Sequence, residues 1–251
     1  MNHNMKLSRG AFCKIADSSK TIELRLNDEK RQKIAVGDTI IFTCVDNRDI
    51  ITSKVKALHK FIDFKVLYES LPLVECGYTS EQLNTASYAD MYEYYTEEQI
   101  KKYGALGIEL CNVEAICDSK PDLLSGHIYS LLMPSVYEAT EQKLRARAQK
   151  YFDSLNTYVY TFLEDGEYMG IVVFSKSESV ATICDIAVKY QHTGKGIGRK
   201  MIEYILNCFN VCSIVAETDD DALDFYKKCG FDVANTESEF DIKRYICTLT
   251  K

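Results

Sequence analysis

An apolar run, a glycine-studded loop and an amphipathic helix follow one another without a break at CDIAVKYQHTGKGIGRKMIEYIL (184–206). No other stretch constrains the fold as strongly. A strand is expected to end near Val188. A helix is expected from about Ile197, because positions 197, 201, 202, 205, 206 and 209 are apolar at helical spacing. Between them stand Gly194, Gly196 and Gly198, which let successive backbone N–H groups turn toward one point. The helix N-terminus adds unpaired donors and a partial positive charge. Such a loop suits a pyrophosphate, with Lys195 and Arg199 adding local charge.

Two common phosphate loops are excluded. A dinucleotide fingerprint needs G-x-G-x-x-G opening a parallel βαβ unit, whereas this loop follows strands of antiparallel type late in the chain. A P-loop needs G-K-[ST], which does not occur. The run 158–189 breaks at Glu164-Asp165-Gly166 and at Ser175 to Ser179, predicting three antiparallel strands. A polar helix is expected over 134–155, starting at Pro134. VCSIVAET (211–218) reads as a buried strand, DDDALDFYKKCGF (219–231) as a helix with acidic first turn and Gly230 at its end, and RYICTLT (244–250) as a closing strand.

Gln191-His192-Thr193-Gly194-Lys195-Gly196 resembles the [Q/R]-x-x-G-x-[G/A] acyl-CoA loop of the GNAT-type N-acetyltransferase superfamily. Ala222-Leu223-Asp224-Phe225-Tyr226-Lys227-Lys228-Cys229-Gly230-Phe231 is similar to that family's A-x-x-F-Y-x-K-x-G-F segment, at the expected distance. The resemblance covers about residues 128–251. It implies acetyl-CoA as acyl donor and co-substrate, no metal, and direct attack by an amine acceptor that the sequence does not name. The main chain of Ile186 and Val188 would bond the pantetheine arm. The backbone of Gln191, Thr193, Gly194, Lys195, Gly196, Ile197, Gly198 and Arg199 would hold the pyrophosphate. Val188 N–H would face the developing oxyanion, and Tyr226 would protonate the leaving thiolate. Many members carry Asn seven residues before that Tyr; here Asp219 stands there, a cofactor-side position holding a carboxylate that only accepts hydrogen bonds. The base is not set by motif; Asp185 and Glu217 are candidates near strand ends.

The first half reads differently. TIELRLN (21–27) alternates apolar and polar residues, VGDTIIFTCV (36–45) is a turn feeding an apolar strand, and 51–61 and 64–70 read as further strands. A helical stretch is expected over 80–104, ended by Gly104, with a closing strand over 105–117. By composition, Lys20, Glu23 and Arg25 read as a solvated charged face. The run SSKTIELRLND followed by AVGDTIIF is also similar to the ASCH domain, a PUA-like β-barrel with signature G-x-K-x-x-E-x-R and a later G-D. Lys20, Glu23 and Arg25 match, and Ser18 replaces the Gly.

That second resemblance covers roughly 5–117 and implies an RNA- or nucleotide-binding pocket at Lys20, Glu23 and Arg25. Tyr88, Tyr92, Tyr94 and Tyr95 would be available to stack on bases. Some relatives hydrolyse acetylated cytidine; on that alternative Lys20 and Glu23 would be catalytic, but Glu23 occupies a Thr position and the later Glu falls only on Glu97 or Glu98.

The expected organisation is a two-domain α+β / α/β chain. A PUA-like β-barrel (ASCH) spans 1–118, a linker 119–127, and a GNAT fold with a mixed, splayed sheet flanked by helices 128–251. Net charge is −7, which argues against bulk nucleic-acid binding. Ten Cys without C-x2-C spacing and without an apolar leader read as reduced thiols in a cytoplasmic protein. Four His leave no His-rich metal centre, and no run reaches the ~18 apolar residues of a membrane span. The expected function is N-acetyl transfer to an unidentified amine, with a bifunctional hydrolase or a non-catalytic acyl-CoA-binding regulator as alternatives.

Overall fold

The structure is a computed structural model that describes residues 1–236 and 243–251. The chain divides into two units: Met1–Ala115 with Leu163–Glu167, and Ile116–Phe162 with Tyr168–Lys251.

The first unit contains strands β1 (Asn2–Leu7), β2 (Ile22–Leu26), β3 (Thr39–Cys44), β4 (Ile50–Phe61) and β5 (Ala105–Asp118), the last running into the second unit. Its helices are α1 (Arg9–Ala16), α2 (Phe64–Ser70) and α3 (Glu97–Tyr103). The strand path is β1-β3-β4-β5-β2, open at its ends, with β1 parallel to β3 and β2 antiparallel to β5. The alternation read in the sequence of β2 buries Ile22, Leu24 and Leu26 against Phe64, Leu67, Met91 and Ile100.

Three expectations for this unit change. Residues 64–70 are a helix, not a strand: Phe64 and Leu67 also fit helical spacing, and Asp63 caps the helix by accepting from Val66 N–H at 2.8 Å. The stretch 80–104 is not one helix. It breaks into turns, a 3-10 turn at Tyr88–Glu93 and α3, because Ser87 and Thr96 each start a new segment with a capping box. Gly104 does end it, at φ +73, where a Cβ would lie 2.4 Å from the Phe61 carbonyl oxygen. The strand β1 and helix α1 had no expectation.

The second unit contains α4 (Gly126–Tyr129), α5 (Glu141–Asp153), β6 (Thr157–Glu164), β7 (Glu167–Ser177), β8 (Val180–Val188), α6 (Ile197–Cys208), β9 (Ser213–Thr218), α7 (Asp220–Lys228), β10 (Asp232–Thr236) and β11 (Arg244–Thr250). The sheet is mixed, in the order β6-β7-β8-β9-β11-β10, with only β8 and β9 parallel among the printed registers. Its core joins Leu123, Ile128, Leu131, Leu132, Leu144, Ala148 and Tyr151 to Val159, Ile171 and Val173. The expected helix 134–155 starts later. Pro134 sits in a 3-10 turn (Ser130–Ser135), and α5 begins after Thr140, whose hydroxyl accepts from Lys143 N–H. The strand β10 was not expected.

Candidate active site

The two central strands of the second unit part company midway. Pairing of β8 with β9 runs only from Val180↔Ser213 to Ile183↔Ala216, although β8 continues to Val188 and β9 to Thr218. On its other side β8 stays paired with β7 to Gly170↔Val188, through a bulge that leaves Cys184 without a partner. Lys189 N–H donates to the Met169 carbonyl at 2.8 Å. In an antiparallel ladder bonded and non-bonded pairs alternate. Val188 and Ile186 therefore turn their N–H and C=O groups away from β7, toward the side that β9 has left.

The glycine loop opens directly beyond this point. Gly194 and Gly196 have φ of +79° and +82°, and a Cβ on either would meet only open space. Left-handed backbone, not crowding, demands glycine there. Gly196 is the N-cap of α6 and offers no side-chain bond, so the first-turn amides of Ile197, Gly198 and Arg199 have no side-chain cap. Gln191 is exposed, the Thr193 hydroxyl donates to the Tyr190 carbonyl at 2.8 Å, and Lys195 Nζ lies 3.3 Å from His192 Nδ1. Gly198 has another duty: a Cβ would come within 2.6 Å of the Phe225 ring, so it lets α6 and α7 pack closely. The Arg199 side chain departs from expectation. It donates to the Lys228 carbonyl, tying α6 to the last turn of α7, where its charge also favours the helix dipole.

Tyr226 is buried on α7, 5% exposed, between Phe225 and Phe231, whose ring centroids lie 5.1 and 5.2 Å away. Burial pushes its phenol well above the ordinary tyrosine range, and the nearby Cys247, Asp185 and Cys229 add to the shift. The phenol therefore stays protonated at neutral pH. Asp219 caps α7 by accepting from Asp221 N–H at 3.1 Å and faces Arg244 Nη1 at 3.8 Å. Its carboxylate is thus occupied with a structural bond where an amide was the family pattern.

The two base candidates part ways. Glu217 is exposed, 3.7 Å from Arg244 Nε. Asp185 is buried at the bulge. It accepts from the Tyr151 hydroxyl and from Arg147 Nη1 at 3.1 Å. Burial raises its carboxyl above the usual range, against the opposing pull of Tyr151 and Arg147. Sequence reasoning missed both α5 partners. The available signal was period: Leu144, Ala148 and Tyr151 lie on the buried stripe of α5, so Tyr151 brings its hydroxyl inside.

In the first unit the charged trio is not solvated. Glu23 is 4% exposed, with Lys20 Nζ 2.7 Å from Oε2 and Arg25 Nε 2.8 Å from Oε1. Burial alone would raise the Glu23 carboxyl, but Lys20 and Arg25 outweigh it and hold it low. Arg25 Nη2 also donates to the Lys6 carbonyl at 2.7 Å. Ser18 has φ +62°, the conformation that explains a glycine in the signature. Gly77 leaves room for the Lys20 stem, since a Cβ there would lie 2.9 Å from Lys20 Cδ. Glu97 and Glu98 sit exposed in the first turn of α3, where they favour the dipole. Tyr88, Tyr92 and Tyr94 are exposed, and Tyr95 stacks on Phe64. Among the described residues no cluster suits a metal ion, and no helix is long and apolar enough to cross a membrane.

Comparison with known proteins agrees with this layout. The ASCH domain model matches residues 5–114, and the acetyltransferase (GNAT) family model matches residues 126–231. The chain carries an ASCH domain followed by a GNAT acetyltransferase domain. The crystal structure of hypothetical protein PH0355 is 32% identical, over 44% of this chain and 97% of that one, with a TM-score of 0.36. A putative streptothricin acetyltransferase from Bacillus anthracis, in complex with acetyl coenzyme A, is 24% identical over 41% of this chain and 67% of its own, TM-score 0.37. An acetyltransferase from Thermus thermophilus is 14% identical over 55% and 97%, TM-score 0.45. No curated protein matches the chain. The parted strands, the glycine loop and Tyr226 all fall within the GNAT domain, and the Lys20–Glu23–Arg25 cluster within the ASCH domain.

Proposed function

We propose that the GNAT domain moves an acetyl group from acetyl-CoA to an amine by direct attack. The observation that carries this reading is the gap beside Ile186 and Val188, whose amides point into it, with uncapped α6 amides next to it. The α6 N-terminus and the 191–199 backbone bind the diphosphate. Val188 N–H steadies the oxygen that gains charge as the amine nitrogen attacks the carbonyl carbon. The carbon–sulfur bond breaks, and the Tyr226 phenol gives its proton to the departing sulfur. The amine sheds its own proton to Asp185 through solvent or to bulk water. Labelled acetyl-CoA incubated with amines, peptides and total tRNA tests the reading. Label transfer to one class supports it, and absence of coenzyme A binding by calorimetry refutes it.

The ASCH domain we assign to binding RNA or a nucleotide at Lys20, Glu23 and Arg25. A buried carboxylate flanked by two cations leaves one net positive charge, with Glu23 oriented by both neighbours. Hydrolysis of an acetylated base is the competing reading, and incubating the protein with acetylcytidine decides between them. An idle acyl-CoA sensor is the third. It requires Tyr226→Phe to leave every downstream effect unchanged.

A further inference from the structure

Every charge between Val66 and Ile100 is negative. This segment of the ASCH domain has no Lys, Arg or His, against Glu69, Glu75, Glu81, Asp90, Glu93, Glu97 and Glu98. All seven are exposed, and none pairs with a cation among the described residues. Over residues 1–65, by contrast, Lys and Arg outnumber Asp and Glu.

The same segment exposes aromatic surface. Tyr88, Tyr92 and Tyr94 are 38, 46 and 69% exposed. Tyr88 and Tyr92 meet edge to face at 6.3 Å, and Tyr94 leans on Tyr95 at 6.4 Å. Tyr95 in turn stacks on the fully buried Phe64, and Met91, next to Tyr92 in sequence, is buried in the same core, so this stretch stands on a packed base. Local structure accounts for part of the acidity. Asp90 completes the capping box at Ser87, and Glu97 and Glu98 lie in the first turn of α3. Glu93 has no such duty, and in sequence it stands between Tyr92 and Tyr94, the two most exposed tyrosines of this segment.

We propose that this face docks a Lys/Arg-rich polypeptide segment. Lysine and arginine present a cation to the face of a tyrosine ring and an apolar stem to its edge. Glu93, with Asp90, Glu97 and Glu98 on the same stretch of chain, supplies the opposite charge. The rings alone would also stack on bases, but the carboxylates beside them repel phosphates, so the charge decides against a nucleic acid at the same place. The tyrosines therefore serve a cationic partner, and nucleic acid is left to the Lys20 and Arg25 side. The proposal does not depend on the acetyl-transfer reading.

The test is fluorescence anisotropy with the full chain. The probes are a labelled peptide of about 12 alternating lysines and serines, a glutamate–serine peptide, and a single-stranded RNA of similar length. Expected is saturable binding of the basic peptide and none of the glutamate–serine peptide, the former weakening several-fold from about 0.05 to 0.3 M salt. Tyr92→Ser with Tyr94→Ser, and separately Glu93→Lys, should each weaken it by about 5-fold or more. RNA affinity should stay unchanged in the tyrosine variant and not fall in Glu93→Lys. All three positions are exposed, and matching thermal melts establish that the variants fold. Absence of saturable peptide binding, or equal affinity in the variants, overturns the proposal. A loss of RNA affinity in the tyrosine variant gives the face to nucleic acid instead.

Discussion

Arg147, on α5, places Nη1 3.1 Å from Oδ1 of Asp185, on the part of β8 that β9 has left. Tyr151, one turn further along α5, donates its hydroxyl to the other oxygen of the same carboxylate. The helix α5 is thereby fastened to the strand that lines the gap. The partners also decide how Asp185 titrates. Its carboxyl is raised because burial outweighs both neighbours. A raised folded value means the folded state binds more protons than the unfolded one just above the ordinary carboxylate range, so stability falls as pH rises through that window. Thermal melts between pH 4 and 7 should show this fall in the wild type and a flatter profile in Asp185→Asn. Arg147→Met should cost about 1–2 kcal/mol at pH 7, as it removes a charged hydrogen bond from a buried carboxylate. An unchanged melting temperature in Arg147→Met would remove the fastening role.

Tyr226→Phe should lower kcat by about 10²-fold while leaving coenzyme A affinity unchanged. Packing survives, because the ring contacts with Phe225 and Phe231 need no hydroxyl. The raised phenol carries a second consequence. Since Tyr226 stays protonated far above its ordinary range, activity should show no alkaline loss from this group up to pH 10. A wild-type rate that falls off near pH 9 and a Tyr226→Phe rate that does not would assign the limb to Tyr226 and contradict its burial.

The loop separates two kinds of glycine. Gly196→Ala asks a side chain to take φ +82° in open space, so the cost is conformational, about 1–2 kcal/mol, felt as weaker coenzyme A binding and a modest drop in stability. Gly198→Ala has a helical backbone but drives its Cβ into Phe225. Overpacking of this kind costs about 1–3 kcal/mol and should appear chiefly as lost stability. Denaturant melts beside calorimetry distinguish the two, and similar profiles for both variants would be inconsistent with this division.

What the residues disclosed in advance follows a physical line. Local signals were readable: the glycines at 194, 196 and 198, the acidic first turn of α7, and the alternation in β2. Loop-to-helix transitions and strand faces are decided within a few residues. Elements whose pattern suits two states were misjudged. Phe64–Ser70 alternates well enough for a strand, and only the Asp63 cap resolves it. Long-range partners were invisible. Nothing near Arg199 announces that its guanidinium will bond to Lys228, 29 residues away, nor that Tyr151 and Asp185 will meet across 34. The burial of Glu23 belongs to the same class. Its neighbours on the same strand face, Thr21 and Arg25, are polar, and only the packing of β2 takes the carboxylate out of water.

That burial makes the ASCH cluster testable on its own. Glu23 is held low by Lys20 and Arg25, so its folded value lies beneath its unfolded one. The stability it contributes is present above the unfolded carboxylate value near pH 4 and is lost as pH falls through the folded value. Glu23→Gln leaves Lys20 and Arg25 facing each other without the intervening charge. It should cost about 3 kcal/mol at pH 7, the lower end for breaking a buried pair from one side. The deficit should shrink as pH drops below about 4, because the wild type then loses the same charge. Melting curves of both proteins at pH 7 and pH 3 measure this directly. A deficit that is equal at both pH values would mean that Glu23 acts through shape and not through its charge.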